Sequence, residues 1–180
     1  YAIAGWGVLF LQKQHGFSLE EASQVIAFSA IFGVLGTVLA GWLSDTLFKS
    51  DRVKPAILSG ILSSLSLFLF LFVGGGFVMN IFYVSLFSLS VGVLYCIVAG
   101  LMAVDIVPRK ATGAALGVVG ISSYIAAGLQ DIISGYLIQG YTQVVDGVDT
   151  YNFTPVSWFW VAASIVSFVL PVLNWKKMKK

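Results

Sequence analysis

Five apolar stretches run between the charged loops of this 180-residue chain, at residues 24–43, 55–73, 77–104, 111–138 and 156–175. Four of them hold no charged side chain, and the fifth holds one, Asp131. Little else constrains a fold so tightly. As helices, segments of about twenty apolar residues match the hydrocarbon thickness of a bilayer. Lipid offers no water to the peptide groups, so a spanning segment must satisfy them within itself, as a helix does. The expected class is all-α integral membrane. Composition agrees, since 58% apolar and 10% charged residues depart far from the balance of a soluble domain. A sixth stretch, 1–11, is apolar but only about 16 Å long as a helix, and reads as part of a span. The chain opens inside that run rather than with Met or a charged signal-type start, which reads as a piece of a longer protein. Cys96 is the single cysteine and supports no disulfide framework.

Charge orients the array. Lys49, Arg52, Lys54, Arg109, Lys110, Lys176, Lys177, Lys179 and Lys180 fall on one side, and only Lys13 falls on the other. By the positive-inside rule the two short basic loops and the C-terminus are expected in the cytoplasm, in a multi-pass protein of the inner membrane. Basic residues confined to short inner loops are a topology signal and do not point to nucleic acid. No grouping of nucleophiles, bases or metal ligands accompanies them, so no enzyme activity, cofactor or metal is expected.

The loops carry local signals. Gly16 reads as a helix stop, and Ser18-Leu19-Glu20-Glu21 as the start of the next helix. Pro55 opens the third span. Gly74-Gly75-Gly76 reads as a tight turn, and 139–155 as a polar loop with Asp146 and Asp149. Asp105 reads as a cap for the helix beginning near Pro108. His15 reads as solvated surface in an outer loop, and Trp158, Trp160 and Trp175 as interface belt around the last span.

Within 111–138 the small and polar residues recur at intervals of three and four: Gly113, Gly117, Gly120, Tyr124, Gly128, Asp131 and Gly135. At 3.6 residues per turn they share about 80° of one helix face. The opposite face is Val118, Ile121, Ile125, Leu129, Ile132 and Ile133. The front is expected to meet a neighbour or a cavity and the back to meet lipid or other helices, with Gly113, Gly117, Gly120 and Gly128 as helix-packing positions. A second small-residue stripe, Ser29, Gly33, Gly36, Ala40 and Ser44, runs along 24–43. An acid within a span, Asp131, about 9 Å from its middle toward the outer side, costs roughly several kcal/mol unless paired, protonated or hydrated. It is read as a cavity acid that pairs with a cation or binds a coupling proton, or else reaches the interface.

Two motifs go further. Gly41-Trp42-Leu43-Ser44-Asp45, followed by Lys49 and Arg52, resembles the inner-loop motif of the major facilitator superfamily, though Thr46 stands where that motif has arginine. Pro108-Arg109-Lys110-Ala111-Thr112-Gly113, continuing through Gly117 and Gly120 to Tyr124, resembles the tenth-to-eleventh helix junction of its organophosphate:phosphate antiporters. That group includes glycerol-3-phosphate and hexose-phosphate transporters and a transporter-like sugar-phosphate sensor. Trp6-Gly7 and Leu170-Pro171-Val172-Leu173-Asn174 extend the likeness along the chain.

The resemblance implies a six-helix C-terminal half-bundle over residues 1–180, helices seven to twelve with the first truncated, and an N-terminal half that the chain lacks. It implies exchange of a phosphorylated small metabolite for inorganic phosphate by alternating access. A transporter-like receptor for sugar phosphate and a proton-coupled facilitator of another solute are the alternatives. The family's phosphate-binding arginine of helix seven would fall just before Tyr1. Tyr124 corresponds to its cavity tyrosine of helix eleven. Val93-Leu94-Tyr95 stands where helix ten carries Tyr-Gly-Pro, so Tyr95 would supply a hydroxyl from a shifted position. The acid and lysine of the hexose-phosphate carriers' helix eleven are Leu116 and Val119 here, so their substrate preference does not carry over. The expected cavity residues are Tyr124, Tyr95, Asp131, Trp6 and Tyr1. Gly41, Asp45, Lys49 and Arg52 are expected to form a conformational latch. The expected partners are a small anionic substrate, inorganic phosphate, the bilayer and the missing half.

Overall fold

The structure, a computed structural model, describes residues 1–49, 51–145 and 148–178. Six helices follow one another: α1 (Ala2–His15), α2 (Leu19–Trp42), α3 (Val53–Phe68), α4 (Phe77–Tyr95), α5 (Thr112–Gly140) and α6 (Thr154–Met178). Wider π-helical turns extend α2 through Leu43–Leu47 and α3 through Leu69–Val73. With these extensions, α2 to α6 are each long and apolar enough to cross a membrane. The class is all-α membrane, as the apolar runs require. Asp146, Lys179 and Lys180 lie outside the described residues, and so does the side chain of Trp175.

Local chemistry sets the ends. Gly16 closes α1 at φ +69°, a left-handed cap that glycine adopts without a Cβ penalty. Ser18 then opens α2 through a capping box, accepting from the Glu21 N–H while Glu21 accepts from the Ser18 N–H at 2.9 Å. Gly74 and Gly75, at φ +62° and +138°, turn the chain between α3 and α4. Three expectations change. The α1 helix runs on through Gln12–His15, past the end of the apolar stretch at Leu11. The polar loop at 139–155 contains a β-hairpin, Gln143–Val145 paired antiparallel with Val148–Thr150. After Tyr95, α4 loosens into a π-helical stretch, Cys96–Met102, before a final turn, Ala103–Asp105. A change of hydrogen-bond register thus stands just after the position where the resemblance places Tyr-Gly-Pro.

Helix α4 is the centre, packed along both α2 and α3, while α3 also carries α6 and α1 leans on α2. Glycines set the α2–α4 distance. A Cβ at Gly36 would stand 2.1 Å from the Leu89 carbonyl oxygen, and one at Gly92 would stand 2.3 Å from that of Gly33. The two backbones therefore touch, which is how helices associate where lipid removes the hydrophobic drive. Toward one end the core gathers Phe10, Leu11, Val25, Phe70, Phe153 and Trp160; toward the other, Ala40, Ala56, Val93, Ile97 and Phe168. Some buried serines return their hydroxyls to their own helices, as Ser63 to Gly60 O and Ser90 to Leu86 O.

Helix α5 is the outlier. It touches α1 and α6 sparsely and leaves nearly all of its length uncovered. Its attachment is neither of the two faces anticipated. The strip Ser123, Ala127, Gln130, Ser134 and Ile138 turns toward the bundle, about 80° round the helix from the glycine seam.

Candidate functional site

The α5 seam and the start of α1 form one open flank of the bundle. Trp6 Nε1–H donates to Asp131 Oδ1 at 3.2 Å, tying α1 to α5. One and a half turns earlier on α1, the Tyr1 ring lies 6.3 Å from that of Tyr124. Tyr124 is 73% exposed, and Tyr1 and Tyr95 are also more than half exposed. Four of the five expected cavity residues therefore meet pairwise on the flank. Tyr95 sits apart and joins Tyr1 in lining a cavity of about 450 Å³ between α5 and the body of the bundle, shared with Ser63, Ser123, Gln130 and Ser164. That cavity is mainly apolar, whereas the flank holds the carboxylate and the tyrosine hydroxyl.

Four of the seam glycines meet nothing among the described residues. A Cβ at Gly113, Gly117, Gly120 or Gly128 would have no atom within 4 Å, and only Gly135 approaches a neighbour, Trp6 at 3.8 Å. Among the described residues they are therefore not close-approach positions; helix glycines that are include Gly7, Gly36, Gly60 and Gly92. On the back of α5, Val118, Ile121, Ile125 and Leu129 are all exposed.

At the basic end of the bundle, Arg52 takes three partners. Its Nη1 donates to Ser44 Oγ at 2.6 Å and to Asp45 Oδ1 at 2.9 Å, and its Nε donates to Asp105 Oδ2 at 3.3 Å. The Arg52 side chain is 16% exposed and fastens the end of α2 to the end of α4. Asp45 and Arg52 thus come together as expected, but Gly41 and Lys49 do not join them. A Cβ at Gly41 would touch nothing within 4 Å, and Lys49 occupies a left-handed turn, φ 50°, outside the described ion pairs. Asp105 supplies the arm that the sequence reading gave to a helix cap; no side chain caps the turn at Arg109–Ala111. The pairing was invisible because 53 residues separate Asp105 from Arg52.

Two further departures concern aromatic rings. Trp160 is not belt but core, 2% exposed, and its indole N–H donates to Ser134 Oγ at 2.8 Å. Ser134 also accepts from Gln130 Nε2 at 2.9 Å and donates to Gln130 O at 2.7 Å, so its hydroxyl is fully used. Trp158, by contrast, is exposed and packs against Phe72 with the rings tilted and their centroids 4.8 Å apart. His15 is half-buried rather than solvated. It lies 5.3 Å from the Phe10 ring, and a Cβ at Gly74 would stand 2.4 Å from its Cε1. Nε2 has no hydrogen-bond partner there, and loss of water holds the imidazole pKa below the ordinary histidine value. Among the described residues no three histidine, cysteine, aspartate or glutamate side chains gather as a metal site.

Comparison with known proteins places this geometry. The family model for the Major Facilitator Superfamily matches residues 1–130. Over its full length the chain is 28% identical to a glycerol-3-phosphate transporter of Bacillus subtilis (strain 168), covering 38% of that protein. It is 30% identical over 69% of its length to a phosphoglycerate transporter protein of Salmonella typhimurium, covering 27% of it. It is 32% identical over 71% of its length to the membrane sensor protein UhpC of Escherichia coli (strain K12), covering 29% of it. The chain thus spans less than two fifths of the length of these curated relatives. No solved structure matches it.

Proposed function

The chain belongs to the major facilitator superfamily, and from that premise we propose that it is the C-terminal half of a carrier exchanging a phosphorylated small metabolite for inorganic phosphate. The observation that carries the reading is the open flank of α1 and α5. There the helix that resembles the antiporters' helix eleven presents Tyr124 beside Tyr1, and Asp131 beside Trp6, on one exposed side. The similarity to a glycerol-3-phosphate transporter along the entire chain supports an organic phosphate as cargo. In this reading the flank faces a central site shared with a second six-helix unit, whose approach also covers the vacant glycine seam. Alternating access is a rocking of the two units about that site. The basic loops and C-terminus lie in the cytoplasm, across the inner membrane, and the Arg52 clamp braces that face. The relatives named are transporters and a membrane sensor, and catalysis forms no part of the reading.

A second reading has its own support. The 32% identity to a membrane sensor protein favours a receptor that binds sugar phosphate without carrying it. Reconstitution of the full-length protein in liposomes loaded with inorganic phosphate separates the two. Uptake of labelled phosphate or glycerol 3-phosphate that requires phosphate inside supports exchange. Saturable binding with no flux supports the sensor. Flux that needs a proton gradient and ignores internal phosphate refutes exchange.

A further inference from the structure

Asp131 is the lone charge within the five apolar stretches, and its surroundings limit what it accepts. The Trp6 N–H holds Oδ1 at 3.2 Å, and a Cβ at Gly5 would stand 3.6 Å from that same oxygen. The carboxylate thus leans on α1. A carboxylate offers about four acceptor positions, and one indole N–H leaves most of them turned to the open flank. Among the described residues no lysine or arginine pairs with it. Lys13 lies about 10 Å further along α1 than Trp6, with its ammonium over the Tyr151 ring. Arg109 and Lys110 lie roughly 30 Å away along α5.

An acceptor so placed repels a phosphate and attracts hydroxyl donors. Tyr124, on the same face of α5 and seven residues earlier, stands about 10 Å away along the axis. Between two like charges at that distance the repulsion in a hydrated site is about 1 kcal/mol or less. The flank therefore accommodates an anion whose charged end lies away from Asp131 and whose hydroxyls lie against it. We propose that Asp131, oriented by Trp6, is the acceptor for cargo hydroxyl groups, so that the protein selects polyhydroxylated organic anions over equally charged esters that lack hydroxyls. Asp131 touches the cargo in this arrangement, and Trp6 is a positioning residue. The proposal rests on the reading of the chain as a carrier or receptor of organic phosphate.

The test uses full-length protein in nanodiscs and displacement of labelled inorganic phosphate by glycerol 3-phosphate, glucose 6-phosphate and propyl phosphate. Propyl phosphate is glycerol 3-phosphate without its hydroxyls. Wild type is expected to prefer the hydroxylated esters by roughly ten- to a hundredfold, the range of a hydrogen bond to a charged group. Asp131→Asn removes most of that preference and leaves phosphate affinity within about threefold. Trp6→Phe keeps the ring but loses the N–H, and falls between the two. Equal loss of affinity for every ligand in Asp131→Asn overturns the proposal, and so does a preference that survives both substitutions. If wild type binds no phosphate, the phosphate reading fails by itself. Titration with sorbitol and D-glucarate, wild type against Asp131→Asn, then decides hydroxyl recognition independently.

Discussion

The contact between α2 and α4 makes a sharp quantitative prediction at Gly36. In Gly36→Ala the new Cβ would stand 2.1 Å from the Leu89 carbonyl oxygen and 3.1 Å from its Cα. Ordinary contact begins near 3.4 Å, so the oxygen must retreat by about 1.3 Å. A side chain could rotate away, but this neighbour is backbone within a helix, so the helices themselves must part. A gap of 0.5–1 Å already forfeits about a quarter to a half of each contact's attraction, and burial of apolar surface in lipid offers no compensation. Overpacking typically costs about 1–3 kcal/mol, and we expect the upper end here. For full-length protein in detergent, followed by fluorescence-detected size exclusion across a temperature series, the melting point should fall by roughly 2–4 °C, since the cost is spread over the unfolding entropy of the whole protein. Gly41→Ala is the control, because nothing lies within 4 Å of its Cβ position. Indistinguishable melting points for the two variants would refute the close-packed α2–α4 interface.

Other consequences follow from single side chains. Ser134→Ala strands the buried Trp160 N–H and should cost about 1–2 kcal/mol; if Trp160→Phe makes Ser134→Ala no longer harmful, the cost belongs to that bond, and additive losses would refute it. Arg52→Ala should destabilise the basic end by only about 1 kcal/mol, because Asp45 is 61% exposed and screened. Its thermal shift should shrink as salt rises, and Arg52→Lys should recover less than half of the loss for want of a fork; a salt-independent loss argues against the ion pairs. His15 is held neutral by burial, so its native pKa lies below its unfolded value. No linkage acts above the unfolded value, about 6.5. As pH falls below it the unfolded state gains the proton first, and stability declines until the native imidazole also protonates. Melting between pH 7.5 and 5 should therefore show a loss that His15→Gln reduces, and identical pH profiles would place His15 in solvent.

Long-range partners divide what could be read along the chain from what could not. Ser18 and Glu21 sit three residues apart, and the positive φ of Gly74 and Gly75 serves a turn of adjacent residues, so both are legible locally. The pairs Trp6–Asp131 and Arg52–Asp105 are 125 and 53 residues apart, and no periodicity announces them. Trp6 and Asp131 could be nominated for one site from type and position, but not as donor and acceptor. Trp160 was misplaced because a tryptophan near a span end suits either an interface or a core. Ser134 at 26 residues' distance decided which.

By itself the sequence determined the all-α membrane class, because nearly uncharged apolar runs of bilayer length satisfy their peptide groups in lipid as helices. It also determined the family, through Gly41–Asp45 and the Pro108–Tyr124 junction. Only the tertiary structure decided which glycines carry contact. Gly36 and Gly113 look alike in a three-and-four spacing, yet one meets a backbone and the other meets nothing. Spacing defines a helix face; what stands opposite that face depends on where the other helices lie. The same holds for Asp131, whose place within a span is written in the chain, while its hold on the α1 indole exists only once α5 and α1 are side by side.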